Sequence, residues 1–319
     1  MTMNYRQGAA PAAPASDLRL TTEIGTLLLS NPVMPASGCF GPELADLFEL
    51  GRLGAVVTKT VFSTVRSGNP AHRLTEVPAG MLNTVGIPSI GAARFRREVL
   101  PVYRASGTKV VVSIGGLGID DFFDVAEQLE DAELDALEIN VSCPNLERDG
   151  LEIGSSPTSV AAITAGVVAR AAGRPVFVKL TPNVTSVEEI AEAAESAGAT
   201  AVVVANTFRA MSVDLTSRRP TLSNPTGGYS GPALKPIVLR MVWQTAQRVR
   251  IPVIACGGIR TARDVAEFLV AGATAIQVGT ATFGRPMTMT QIIEQLPEVL
   301  DELGVNSSSS LVGTLRTAA

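Results

Sequence analysis

Between Asn140 and Asn145 the chain reads Asn-Val-Ser-Cys-Pro-Asn, directly after the apolar run Ala136 to Val141. This sets the Cys143 thiol between two carboxamides where a buried strand should end. A thiol with an ordinary pKa of ~8.5 is mostly protonated at pH 7, but nearby lysines or a dry site can tune it into a general base. Carboxamides donate and accept hydrogen bonds, so the arrangement suits removal of a proton from a small polar ring. Cys39 and Cys256 have no comparable polar frame and are expected to be packing residues. Histidine, the commonest acid-base residue, occurs once, as His72 between Pro70 and Arg73 in a stretch that reads as an exposed loop. Proton chemistry near neutral pH would therefore fall to Cys, Lys, Tyr or a shifted carboxylate.

Only four lysines occur, Lys59, Lys109, Lys179 and Lys235, and two of them, Lys59 and Lys179, end β-branched runs. A flexible point charge serves there better than a planar guanidinium. It could stabilise negative charge on a reduced cofactor ring or form a Schiff base with a carbonyl substrate.

Such residues need a frame. Eight short β-branched runs alternate with amphipathic segments: Val33 to Ala36, Ala55 to Thr58, Val110 to Ile114, Ala136 to Val141, Val176 to Leu180, Ala201 to Ala205, Val253 to Cys256 and Ala275 to Val278. Helix ends are legible between them. Ser186 with Glu189 reads as a capping box before a helix stopped by Gly198, and Thr261 with Asp264, ending at Gly272, repeats the pattern. Eight β-then-α units within 319 residues predict an α/β fold, a (β/α)8 TIM barrel, rather than a doubly wound sheet. No GxGxxG follows any strand, which weighs against a dinucleotide-binding half. Two segments interrupt the repeat. A hairpin over Leu18 to Leu29 should plug the barrel floor. A long polar insertion after strand 6, Phe208 to Pro232, reads as a lid or binding loop carrying Arg218, Arg219, Asn224, Gly227, Gly228 and Gly231.

Active sites of such barrels lie at the strand C-terminal ends. The residues there are Ser37, Lys59, Thr60, Ser113, Asn140, Cys143, Asn145, Lys179, Asn206, Thr207, Gly257, Gly258, Gly279 and Thr280. This set is small, polar and mostly uncharged, and suits a flat heteroaromatic ligand rich in carbonyl and imide groups. The glycines after strands 7 and 8 match the usual phosphate site of these barrels.

Composition sets the outer bounds. The chain is 46% hydrophobic with aromatics at 4%, which suits one aliphatic core, and its formal charge of -4 without a basic cluster argues against nucleic acid or an anionic membrane. The three cysteines lack paired spacing for zinc, an iron-sulfur cluster or a redox dithiol, so no metal is expected. Residues 1–16 read as a flexible Ala/Pro-rich tail without the apolar stretch of a signal peptide or membrane span. Residues 17–316 read as a single barrel domain, followed by a short tail at 317–319. A cytoplasmic location is expected.

From about Leu18 to Arg316 the chain resembles the class 1 dihydroorotate dehydrogenases, especially the B-type catalytic subunit. The resemblance is carried by TKT at Thr58 to Thr60, PAGMLNTVGI at Pro78 to Ile87, NVSCPN at Asn140 to Asn145 and VKLTPN at Val178 to Asn183. ANT at Ala205 to Thr207, RRPTLSNPTGGYSGPALKP at Arg218 to Pro236 and CGGI at Cys256 to Ile259 extend it in the same order.

The resemblance implies FMN-dependent oxidation of dihydroorotate to orotate in pyrimidine biosynthesis. Cys143 would take the C5 proton while hydride leaves C6 for flavin N5, and Lys179 would stabilise the reduced flavin from its N1 edge. It implies orotate contacts from Lys59, Asn83, Thr84, Val85, Gly86, Ile87, Asn140, Asn145, Asn206 and Thr207. FMN would be held by Ser37, Lys59, Thr60, Ser113, Asn140, Lys179, Ala205, Gly231, Gly257, Gly258, Gly279 and Thr280, with the last four at its phosphate. Two departures stand out: Ser113 where B-type members often have asparagine, and Ile153 where an aromatic is common in the loop after NVSCPN. The resemblance further implies a homodimer core within a heterotetramer, whose FAD and iron-sulfur subunit passes electrons to NAD; fumarate is the alternative oxidant. Rival readings are a dihydropyrimidine dehydrogenase-like FMN barrel acting on uracil or thymine, a flavin-free Schiff-base lyase using Lys179, and a non-catalytic barrel.

Overall fold

Eight parallel strands form the core of the protein in the order expected of a closed βα repeat. They are β1 (Val33–Pro35), β2 (Ala55–Val57), β3 (Lys109–Ile114), β4 (Ala136–Asn140), β5 (Val176–Lys179), β6 (Ala201–Val204), β7 (Val253–Cys256) and β8 (Ala273–Val278). From β2 to β8 each pairs with the next, and β8 returns to β1. The structure, a computed structural model, describes residues 17–44, 49–142, 147–148 and 151–317. The N-terminal tail read from the sequence lies outside them.

The seam between β1 and β2 is closed by loop contacts rather than a ladder. The Gly54 amide donates to Val33 O at 3.0 Å, and Asn31 Nδ2 donates to Arg52 O at 2.9 Å. A Cβ on Gly54 would stand 2.0 Å from Asn31 O, so only glycine permits this approach. Gly54→Ala is expected to destabilise the barrel by ~1–3 kcal/mol, the usual cost of overpacking a site that cannot give way. A denaturant midpoint equal to that of wild type would show that the seam is not constrained.

Period-two alternation along the strands builds the interior. On β4 the inward positions run Ala136, Glu138, Asn140; on β5 they run Phe177, Lys179; on β8, Ala275, Gln277. Apolar residues thus fill the lower barrel and polar ones face its upper end. The hairpin Thr22–Ile24 with Leu27–Leu29 supplies the floor, since Ile24, Leu27 and Leu29 pack with Met34, Val57, Val111, Phe177, Val203 and Ile254. This agrees with the plug expected from the sequence.

The helices enclose a second apolar layer outside the strands. The helix Val187–Ser196 buries Val187, Ile190, Ala191 and Ala194, an i, i+3, i+4, i+7 stripe. Its Ser186 cap accepts from the Glu189 amide at 3.3 Å. The helix Ala262–Val270 starts with a reciprocal box between Thr261 and Asp264.

The insertion after β6 differs from a plain loop. Phe208–Ala210 and Gly227–Ser230 pair antiparallel, and the second of these also pairs with Gly80–Asn83, which forms a hairpin with Leu74–Val77. The resulting four-stranded sheet joins segments from two widely separated stretches of chain. The tip of the insertion folds into a further hairpin, Val213–Asp214 with Arg219–Pro220. Among the described residues no helix is long and apolar enough to cross a membrane.

Candidate active site

A cavity of about 470 Å³ opens at the C-terminal ends of the strands, between the barrel and the four-stranded sheet. It is lined by Ser37, Lys59, Thr60, Asn83, Val85, Gly86, Ile87, Asn140, Lys179, Ala205, Asn206, Thr207, Gly231, Gly257, Gly258, Gly279 and Thr280. All of these were expected from the sequence. Thr84 and Ser113 do not line it. Thr84 is buried and accepts from Asn69 Nδ2 at 2.9 Å. Ser113 is fully buried behind Thr60, whose hydroxyl lies 3.0 Å from its own; it thus supports a lining residue instead of facing the cavity. Cys143 and Asn145 lie outside the described residues. Ile153 lies in a 3-10 turn, Ile153–Ser155, and packs against the core. His72 is exposed and away from the cavity, as its loop position suggested.

The carboxamides are oriented by a chain of hydrogen bonds that the motif spacing does not reveal. Ser142 Oγ donates to Asn140 Oδ1 at 2.8 Å and accepts from Asn206 Nδ2 at 2.8 Å. At its other end Asn140 donates to Thr60 Oγ1 at 3.1 Å, and Asn206 Oδ1 accepts from the Thr207 amide at 2.9 Å. Both amide orientations are therefore fixed; Asn140 Nδ2 keeps a second hydrogen for a ligand, while Asn206 Nδ2 also donates to Ser142 O at 3.5 Å. Ser142 was not singled out from the sequence, although it sits inside the motif that was.

Asn83 reaches the cavity from the sheet above, where its Nδ2 donates to Gly228 O at 3.2 Å. A Cβ on Gly228 would come within 2.1 Å of Thr207 Oγ1, so glycine at this point lets the sheet close down on the strand ends.

Lys179 stands on the barrel axis side of β5, 2% exposed. Its Nζ donates to Gln277 Oε1 at 2.8 Å. Burial is the largest influence and disfavours its charge, yet the net shift is upward, through Cys256 and the Glu138 carboxylate. The Cys256 thiol is itself pushed up by burial, with Lys179 opposing, so it is neutral at pH 7. Glu138 is then the acidic side chain that favours the ammonium beside the neutral thiols. Lys59 differs: it reaches the open part of the cavity, and the surrounding protein lowers its pKa, with Glu43 opposing and Arg73 reinforcing.

Two cysteines expected only to pack also border the cavity. Cys39 is pushed up to about 11, mainly by burial, against the pull of the Lys179 ammonium. Neither of these thiols is a base at neutral pH. Among the described residues no group of three His, Cys, Asp or Glu could hold a metal.

At the far end of the cavity bare backbone forms the wall. Gly257 and Gly258 have φ of +153° and +74°, and Cβ atoms on them would meet Val238 Cγ2 at 2.7 Å and Lys235 N at 2.6 Å. Beside them Thr280 Oγ1 donates to Ser230 Oγ at 2.7 Å. Main chain and hydroxyls at one end, a buried cation in the middle and carboxamides at the other form a donor set that fits a phosphate, a flat ring system and a small polar substrate in series.

The family model described as dihydroorotate dehydrogenase matches residues 19–300. The chain is 44% identical over 301 residues to a protein of Geotalea uraniireducens (strain Rf4) named dihydroorotate dehydrogenase B (NAD(+)), catalytic subunit; this covers 93% of the chain and 98% of that protein. A protein of the same name from Trichlorobacter lovleyi is 44% identical over 299 residues, covering 93% of the chain and 98% of that protein. One from Bacillus pumilus is 43% identical over 297 residues, covering 92% and 96%.

Proposed function

The chain belongs to the dihydroorotate dehydrogenase family, and from that premise we propose that it oxidises dihydroorotate to orotate in pyrimidine biosynthesis, with FMN as its cofactor. The observation that carries this reading is the convergence of Lys59, Asn83, Asn140, Asn206 and Thr207 on one cavity that also contains Lys179. A carboxylated pyrimidine needs a cation and amide donors at one end, and Lys59 with the three asparagines supplies them. FMN would be held by Ser37, Lys59, Thr60, Asn140, Lys179, Ala205 and Gly231, with its phosphate at Gly257, Gly258, Gly279 and Thr280. When bound, the flavin supplies the two-electron acceptor for oxidation of the ring.

The chain's own work is positional and acid-base. Asn140 and Asn206, locked by Ser142, orient the pyrimidine. Cys143, one residue beyond Ser142, takes the C5 proton. The Lys179 ammonium supplies a preorganised positive charge where negative charge develops, and needs no rearrangement to do so. Its upward shift also speaks against a Schiff-base lyase, which needs the free amine as nucleophile.

Electrons leave through a partner subunit carrying FAD and an iron-sulfur cluster, with NAD as final acceptor, in a heterotetramer built on a homodimer of this chain in the cytoplasm. Anaerobic mixing tests the central reading. Purified protein should be yellow, release FMN on denaturation, and bleach with dihydroorotate but not with dihydrouracil. Bleaching by dihydrouracil alone would assign the barrel to the dihydropyrimidine dehydrogenases, and colourless protein with an empty site would remove the flavin.

A further inference from the structure

Three polar side chains from three different strands cross the barrel interior beneath the cavity. Lys179 of β5 donates to Gln277 Oε1 of β8 at 2.8 Å, and Gln277 Nε2 donates to Glu138 Oε2 of β4 at 2.6 Å. Glu138 and Gln277 are 0% exposed, and Glu138 Oε1 has no hydrogen-bond partner. A buried carboxylate is costly unless it is paired, yet nothing in the reaction as described uses this one.

The direction of the bonds gives it a role. A carboxylate can only accept, so Glu138 forces the Gln277 amide to present its NH2 group downward and its carbonyl upward to the Lys179 ammonium. Without Glu138 the amide is free to turn, and an upward NH2 would face three N–H donors. The same carboxylate is the negative charge that offsets the buried cation.

We infer that Glu138 is a positioning residue: acting through Gln277, it sets the direction and maintains the charge of the Lys179 ammonium beneath the flavin, and thereby tunes how readily the flavin is reduced. This rests on the reading of the site as an FMN site. Around Lys179 the other titratable groups are Cys256 and Cys39, both neutral at pH 7 because burial raises them. They cannot replace the missing charge. In Glu138→Gln the buried ammonium should therefore give up its proton more readily than in wild type, and the reduced flavin should lose counter-charge.

The test is spectroelectrochemical titration of FMN-loaded wild type and Glu138→Gln between pH 6 and 9. The variant's midpoint potential at pH 7 should fall by the equivalent of tenfold or more in the ratio of reduced to oxidised flavin, about 30 mV for a two-electron couple. Its dependence on pH should steepen, because reduction now draws a proton onto Lys179. A merely structural role would leave both unchanged, and unchanged values with normal FMN content would overturn the inference. Should Glu138→Gln fail to fold, Gln277→Met is read instead; it cuts the link while keeping both charged groups, and here too an unaltered potential and slope would overturn it. Wild-type protein that binds no FMN would instead overturn the functional reading on which the inference stands.

Discussion

Replacing Cys143 with alanine is expected to leave FMN bound and the fold intact while slowing anaerobic flavin reduction by dihydroorotate ~10²–10⁴-fold, the usual contribution of a positioned general base. The reasoning is one of elimination joined to position. His72 is exposed and outside the cavity. Cys39 and Cys256 border the cavity but are held protonated by burial. Lys179 is held charged and so cannot accept a proton. Cys143 follows Ser142 in sequence, and the Ser142 hydroxyl locks the cavity-lining Asn140 and Asn206. Stopped-flow reduction at 450 nm measures the step directly. A variant reducing at the wild-type rate would exclude this thiol as the base. Cys143→Ser should retain a small activity that rises with pH, because a hydroxyl is a far weaker acid than a thiol with a pKa of ~8.5.

The second large effect is expected at Lys179. Lys179→Met removes the cation but leaves Glu138 buried and Gln277 Oε1 without its donor. Breaking one side of a buried pair typically costs ~3–5 kcal/mol, because the remaining charge is left uncompensated or must take up a proton. For a chain of 319 residues the thermal midpoint should fall by roughly 5–7 °C. The sign with pH follows from the direction of the shift. A cation whose pKa is raised by folding adds stability that is fully present below the unfolded value of ~10.4 and is lost as pH rises through the higher folded value. In wild type this contribution should therefore stay constant from pH 6 to 9 and be lost only in strong alkali. FMN affinity should fall as well. Equal melting points and equal flavin affinity would mean that Lys179 merely fills space.

The cavity has two sides, and they were unequally legible. Its strand side was readable residue by residue, because a βα repeat places chemistry at strand C-terminal ends, and Lys59, Asn140, Lys179, Asn206 and Gly257 all line the cavity. Its upper side was not. The insertion after β6 looked like one long loop, but Gly227–Ser230 is a strand that pairs with Gly80–Asn83. Each of these short, glycine-bearing segments is a weak strand candidate alone and becomes one only against its partner.

The local pattern settles the eight strands, the capped helices and the floor hairpin, because alternation, caps and tight turns all act over a few residues. What it leaves open are contacts between residues far apart in the chain: Asn83 with Gly228 at a separation of 145, Gln277 with Glu138 at 139, and Lys179 with Gln277 at 98. Those partners are chosen by barrel register and closure. Glu138 and Gln277 read as stray polar residues in apolar strands until β4, β5 and β8 turn the same faces inward and bring them within hydrogen-bonding distance.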